Sequence, residues 1–221
     1  MESKLIFDIG CHTLDSTYKF LEEGNTVIAV DADINKLFQI SSKYYDYIKF
    51  KKLILINKAV TDKNDEIINF YIQPNWNVWN SIYKNIAERH DISIKTTVIT
   101  TTLNNLIDNF GIPEYCKIDI EGADILALES LNDKLPKFIS CESECLGIND
   151  NPEPLKVLNK LHELGYNKFY LEKQPSNIVY TDIREWESYE DFKNKLLQTR
   201  QNHKFKYFYD FWYDIFATYE V

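Results

Sequence analysis

The sequence lacks the long apolar runs that mark membrane and exported proteins. No run approaches the roughly 20 residues that a membrane span requires. The first apolar run, Leu5–Phe7, is only three residues long before Asp8, which is too short for the apolar region of a secretory signal. These absences predict a chain without a membrane span that stays in the cytoplasm.

Metal-binding and disulfide patterns are also missing. The chain has four cysteines and four histidines, yet no two cysteines form a C-x-x-C pair. The histidines lack the spacing of zinc ligands. Neither a structural zinc site nor a disulfide framework is expected.

Basic residues are in the minority. Lysine and arginine total 25 against 34 acidic residues, for a formal net charge of -9. Binding to a nucleic-acid backbone depends on clustered Lys and Arg. Nucleic acid is therefore not expected as a partner, although a small nucleotide ligand stays compatible with this charge.

What the sequence does contain is an alternation of short apolar runs and amphipathic segments, which is typical of β-α units. The predicted strands are Leu5–Ile9, Thr26–Val30, Lys52–Ile56, Ile67–Ile72, Thr96–Thr101, Tyr115–Ile120, Phe138–Cys141 and part of the tail Phe205–Tyr219. The predicted helices are Asp15–Glu23, Ile34–Tyr44, Leu103–Phe110, Asp124–Leu131, one after Asn151 that ends at Gly165, and one that begins at Ser188.

These elements predict an α/β protein with a mostly parallel seven-stranded sheet and helices on both faces. The 221 residues suit a single domain. In this interpretation residues 1–145 form a cofactor half, and residues 146–221 complete the sheet. Ligands of such sheets bind beyond the carboxyl ends of the strands, where the strand order reverses.

The first candidate site follows the first strand. Gly10 permits a tight turn after Asp8, and the next helix offers unpaired N–H groups. Asp31 ends the following strand, near the spacing at which an acidic residue meets ribose hydroxyls. The full G-x-G-x-x-G is absent, so NAD is less favoured than a cofactor without a pyrophosphate. The alternative is an ordinary strand–turn–helix with solvated acids.

The second candidate site is the end of the strand that begins at Tyr115. Strand alternation puts Lys117, Asp119 and Glu121 on one face. Three charged side chains on one face of a buried strand indicate a polar site, because unpaired buried charges are costly. The alternative is an ion-paired strand end that faces solvent.

The run Lys117–Asp124, KIDIEGAD, resembles the K-x-D-x-E-G-A-E signature of the FkbM-type methyltransferases. Other segments are similar to that family in the same order, over about residues 4 to 145. They are Asp8-Ile9-Gly10, Val27–Asp31, Asn57–Asp62, Thr102–Ile107 and Glu142.

The resemblance implies a class I methyltransferase (Rossmann-like) fold that uses S-adenosylmethionine, generally for O-methylation of sugars or other small hydroxylated acceptors. Carried over by position, the implied cofactor-binding residues are Asp8 and Gly10 at the methionine pocket, His12 beside them, Asp31 at the ribose, Ala59 and Val60 at the adenine, and Asp119 facing the reacting end. The chain departs from the family's D-x-G-A-N-x-G, since His12 replaces asparagine and Leu14 replaces the second glycine.

An alcohol acceptor must lose its proton as the new bond forms, to a base or with help from a metal. The candidate catalytic residues are Asp119 or Glu121 as base and Lys117 as a group that orients the acceptor or lowers its pKa. His12 is an alternative base. Glu142 and Glu144 are candidates to hold Mg²⁺ together with Asp119, although solvated acids are equally common.

Aromatic residues carry two further open interpretations. Trp76 and Trp79 either close over a sugar-like acceptor or anchor a lid to the core. The aromatic residues of the tail are core residues or a homodimer surface. Two other function classes stay open: a degenerate domain that binds S-adenosylmethionine weakly or not at all, which Leu14 favours, and a nucleotide-sugar or NAD-binding oxidoreductase, which the missing glycines disfavour.

Overall fold

The computed structural model describes residues 3–13, 17–75, 77–144, 153–173, 180–183, 185–202 and 212–219. They form two compact units, Met1–Pro136 (unit 1) and Lys137–Val221 (unit 2). Among the described residues, no helix has both the length and the apolar character to cross a bilayer.

Unit 1 alternates strands and helices. Its strands are β1 (Leu5–Ile9), β2 (Thr26–Asp31), β3 (Leu53–Asn57), β4 (Ala59–Val60), β5 (Ile67–Ile72), β6 (Ile94–Thr101) and β7 (Tyr115–Ile118). Its helices are α1 (Tyr18–Glu22), α2 (Ile34–Lys43), α3 (Tyr45–Lys49), α4 (Lys84–Ala87), α5 (Leu103–Phe110) and α6 (Asp124–Glu129), with a 3₁₀ turn at Asn77–Trp79.

The parallel strands of unit 1 follow the order β7-β1-β2-β3. Their sequences are mostly apolar, with Asp8 inside β1 and Lys117 inside β7 as charged exceptions, because both faces of such a sheet are covered. Phe7, Ile9 and Val27 are fully buried within it. The chain runs outward from β1 to β3 and then returns to the other side of β1 as β7. The strand order therefore reverses at β1, which is where ligands of parallel α/β sheets bind.

A second sheet of unit 1 has the order β4-β6-β5. β5 and β6 pair antiparallel from Ile67↔Ile99 to Ile72↔Ile94. Ala59, Phe70 and Val98 form the core of this sheet, and Ala32, which follows β2, packs against them. The second sheet is thus attached close to the carboxyl end of β2.

Unit 2 contains β8 (Phe138–Glu144), α7 (Glu153–Glu163), β9 (Lys168–Lys173), β10 (Glu187–Ser188), α8 (Tyr189–Asn202) and β11 (Trp212–Thr218), with a 3₁₀ turn at Tyr180–Asp182. β11 pairs antiparallel with β8 and with β9, and β10 pairs antiparallel with β9. Phe169, Phe192 and Ile215 are fully buried in this unit.

The predicted α/β class, with a mostly parallel sheet and helical connections, is confirmed. The predicted number of seven strands is wrong, since the described residues contain four main-sheet strands in each unit, eight in all. Two main-sheet strands, β9 and the two-residue β10, were not predicted because neither shows apolar–polar alternation. Two predicted strands, β5 and β6, belong instead to the second sheet. The single-domain interpretation stays a prediction.

Candidate functional site

The turn after β1 lies between the ends of β2 and β7. Gly10 has a positive φ of 80°, and its N–H and that of Cys11 donate to the carbonyl of Val30 over 2.9 and 3.2 Å. On the side of β7, the N–H of Asp119 donates to the carbonyl of Ile9. A Cβ on Gly10 would lie 1.8 Å from the carbonyl oxygen of Asp119. Only glycine fits both the left-handed backbone and this close approach.

Asp31 is the last residue of β2, and main-chain donors hold its carboxylate. The N–H of His12 donates to Oδ2 over 2.9 Å, and the N–H of Asp33 donates to Oδ1 over 2.8 Å. Burial raises the pKa of Asp31 from 3.8 to about 6, although these two donors act to lower it. Each oxygen of a carboxylate offers about two acceptor positions, so one remains on each oxygen of Asp31.

His12 lies beside Asp31 in a left-handed conformation, with φ 45°. Its Nε2 lies 2.8 Å from Nζ of Lys36, so an unprotonated ring nitrogen accepts from the ammonium. Burial lowers the pKa of Lys36, whereas Asp33 and Asp31 act to raise it. His12 therefore contributes its main chain to Asp31 and its ring to the start of α2.

Asp8 lies inside β1 and is fully buried. Its Oδ2 accepts from the hydroxyl of Thr17, and its Oδ1 has no hydrogen-bond partner among the described residues. Burial raises the pKa of Asp8, and the nearby Lys117 acts to lower it. A buried acceptor without a donor is a place where a donor group of a ligand would be stabilised.

The end of β7 and the loop after it carry the predicted catalytic residues Lys117, Asp119 and Glu121. Lys117 and Asp119 form an ion pair of 2.9 Å, and both side chains are partly exposed. The strand ends at Ile118, and Glu121 and Gly122 have φ of 51° and 86°. The expectation that strand alternation continues to Glu121 is therefore wrong, because two successive left-handed residues turn the chain there.

Ala59 and Val60 form β4 and are buried. They pair with Thr100 and Thr101 of β6, and Ala59 packs in the cluster that includes Ala32. The structure thus places Ala59 close to the residue that follows Asp31. Their predicted contact with adenine stays a prediction.

Two residues that the sequence analysis missed lie between β5 and β6. Asn80 donates from Nδ2 to Oδ2 of Asp33 over 3.0 Å, and the Ser81 hydroxyl donates to the carbonyl of Glu121 over 2.8 Å. Asn80 and Ser81 lie in a polar, aromatic loop without a recognisable motif, and their partners are 47 and 40 residues away. No local signal could have identified these long-range contacts.

Trp79 is buried and stacks on His90 with ring centroids 4.3 Å apart. This contact favours the anchoring interpretation over closure on an acceptor. Trp76 and Leu14 lie outside the described residues. Glu142 and Glu144 belong to β8 of unit 2, and a magnesium site that includes them stays a prediction.

The strand order and the polar groups at its point of reversal define unit 1 as a Rossmann-type α/β fold. A model of the methyltransferase FkbM domain matches residues 8–168. This match covers most of the chain, and the chain therefore belongs to the FkbM methyltransferase family. The resemblance expected from the KIDIEGAD run is confirmed. No curated protein matches the sequence significantly.

Solved methyltransferases show weak overall similarity. The precorrin-6y C5,15-methyltransferase of Geobacter metallireducens GS-15 is 10% identical, with a TM-score of 0.47, and the match covers 100% of this chain and 82% of that chain. The C-terminal domain of the Rhodobacter capsulatus precorrin-6Y C5,15-methyltransferase is 10% identical, with a TM-score of 0.48 and coverage of 99% and 81%. A SAM-dependent O-methyltransferase of Thermotoga maritima is 11% identical, with a TM-score of 0.47 and coverage of 100% and 60%. No functional conclusion follows from similarities of this size.

Proposed function

We propose that this methyltransferase transfers a methyl group from S-adenosylmethionine to a hydroxyl oxygen of a sugar, a glycan or another small acceptor. The observation that carries the proposal is the position of Asp31 and Asp119. Asp31 ends β2 and Asp119 follows β7. These strands are the two neighbours of β1, and the Gly10 turn lies between them. This is the point of strand reversal at which a cofactor and an acceptor can meet.

The polar groups at this point fit the cofactor. Asp31 retains an acceptor position on each oxygen, which suits the two hydroxyls of a ribose. Donation from these hydroxyls stabilises the carboxylate, which burial alone disfavours. The Oδ1 of Asp8, which has no hydrogen-bond partner among the described residues, is an acceptor for a donor on the amino-acid portion. When bound, S-adenosylmethionine supplies a methyl group activated by its sulfonium.

The acceptor side is assigned to the Lys117–Asp119 pair. Asp119 accepts the proton of the acceptor hydroxyl, with Glu121 as the second candidate base. Lys117 lies 2.9 Å from Asp119, and its positive charge lowers the pKa of a hydroxyl bound beside it. Their partial exposure leaves both groups accessible to an acceptor. Most of the rate enhancement then comes from alignment of the reacting groups.

Two measurements test the proposal. Calorimetric titration with S-adenosylmethionine, S-adenosylhomocysteine and NAD should show binding of the first two and not of NAD. Labelled methyl donor should then be incubated with sugars, phenols and amines, with and without EDTA. Transfer to hydroxyl acceptors is the expected result. Transfer only to amines, or no binding of S-adenosylmethionine, would contradict the proposal, and loss of transfer in EDTA would add a metal to it.

A further inference from the structure

The segment that joins β5 to β6, residues 73–93, bonds to the loops after both β2 and β7. Two hydrogen bonds to these loops come from adjacent residues, Asn80 and Ser81. Ser81 is fully buried and pairs with Tyr71 through both main-chain groups, over 2.9 and 3.1 Å. The main chain at Ser81 is therefore fixed by the second sheet.

Asn80 is held by both ends of its amide. Its Oδ1 accepts from the N–H of Gln73 over 2.9 Å, which aims Nδ2 at Oδ2 of Asp33. The other oxygen of Asp33 accepts from the N–H of Asn35 and caps α2. Asp33 is thus bonded on both sides, and its own N–H points at Oδ1 of Asp31.

Ser81 bonds the segment to the loop after β7. Its hydroxyl donates to the carbonyl of Glu121 over 2.8 Å and accepts from the N–H of Tyr83 over 3.0 Å. Gly122, which follows Glu121, is in direct contact with Ile86, since a Cβ built on Gly122 would lie 2.3 Å from Cδ1 of Ile86. The segment and the loop after β7 are therefore in close contact.

We infer that Asn80 is a positioning residue for the cofactor ribose, acting through Asp33 on Asp31. Because β1 lies between β2 and β7, a segment bonded to both loops crosses the carboxyl end of β1. Asn80 fixes Asp33, and the N–H of Asp33 fixes the carboxylate of Asp31. The inference rests on the proposed role of Asp31 in binding ribose.

The test compares two ligands and four proteins by calorimetric titration. The ligands are S-adenosylhomocysteine and its 2′-deoxy analogue. The analogue lacks one of the two hydroxyls from which Asp31 would accept a hydrogen bond. The proteins are the wild type, Asn80→Ala, Asn80→Asp and the matched control Asn85→Ala. Asn85 is exposed on the same segment, in α4. Asn80→Asp keeps the size of the side chain and replaces the donor that faces Asp33 with an acceptor, so it reports on the same bond if the alanine variant folds poorly.

Both Asn80 variants should bind S-adenosylhomocysteine about three- to tenfold more weakly than the wild type. This is within the range of coupling energies found in one hydrogen-bond network. The two substitutions should reduce the affinity for the 2′-deoxy analogue by a smaller factor. Asn85→Ala should bind both ligands with the affinity of the wild type. Equal weakening of both ligands, or no weakening, would overturn the inference while leaving the proposed function in place. If the wild type binds neither ligand, the proposed function fails first.

Discussion

The main-chain N–H of His12 donates to the side chain of Asp31 over 2.9 Å, so the turn after β1 and the end of β2 are joined through one carboxylate. A side chain held from two directions by the main chain has little rotational freedom left to lose on binding. That is a favourable starting point for a group that receives two hydroxyls of a ligand.

Replacement of this carboxylate should weaken binding of the cofactor without disturbing the fold. We expect Asp31→Ala to reduce the affinity for S-adenosylmethionine by about 1–3 kcal/mol, through loss of charge-assisted hydrogen bonds. Calorimetric titration measures the effect, and circular dichroism checks the fold. The matched control is Asp62→Ala, since Asp62 is exposed on the turn after β4. Unchanged affinity in Asp31→Ala would remove Asp31 from the ribose site.

The pKa of Asp31 predicts how cofactor affinity depends on pH. The unliganded carboxyl has a pKa raised to about 6, and hydroxyl donors bind its ionised form much more strongly than its protonated form. Affinity should therefore be complete above about pH 7 and fall as the pH drops through 6, to about a tenth at pH 5. Titrations of S-adenosylhomocysteine between pH 5 and 8 measure the slope. The slope should vanish in Asp31→Asn, and its persistence there would assign the titration to another group.

Asp119 should affect turnover far more than stability. If it accepts the acceptor proton, Asp119→Asn should lower turnover about 10²–10⁴-fold. Its ion pair with Lys117 is partly exposed, so the loss of stability should be about 1 kcal/mol or less. Asp108→Asn is the control, because Asp108 forms an exposed ion pair of 2.5 Å with Lys134. A variant that melts early but keeps full activity per folded molecule would make Asp119 a structural partner of Lys117.

The turn after β1 should tolerate no side chain at position 10. Gly10 and Gly24 have nearly the same φ, 80° and 83°, but no atom lies within 4 Å of a Cβ built on Gly24. Gly24→Ala should cost only the left-handed strain, about 1–2 kcal/mol. Gly10→Ala adds a collision with the carbonyl of Asp119 and should destabilise the protein well beyond that. Thermal melts of the two variants compare them, and equal melting temperatures would contradict the close approach.

Sequence patterns located the elements whose signal is local. Leu5–Ile9, Ile67–Ile72 and Leu103–Phe110 have the same bounds in the structure as in the prediction. The strand Lys168–Lys173 was missed because charged residues at its ends hide an apolar centre. The tail was predicted as strand-like over Phe205–Tyr219, and the described strand covers Trp212–Thr218.

In the candidate site, too, residues with a local sequence signal were predicted and residues placed by long-range contacts were not. Asp31 was identified because it ends a strand at the spacing of a ribose-binding acid, and Asp119 because it lies in the KIDIEGAD run. The backbone turn at Glu121 was not foreseen, since a positive φ at a glutamate depends on its surroundings and not on its residue type. Asn80 was not foreseen either, because its partners are fixed by the pairing of β5 with β6.

The antiparallel pairing of Ile72 with Ile94 has a consequence for protein engineering. It places the two ends of the segment 73–93 side by side, so the segment leaves and re-enters the sheet at a single point. A graft exchanged between Ile72 and Ile94 would keep the register of both strands and leave β1, β2 and β7 untouched. The segment can thus be exchanged as a cassette with β5 and β6 in register, provided that the graft retains the contacts of Asn80 and Ser81 with the loops after β2 and β7.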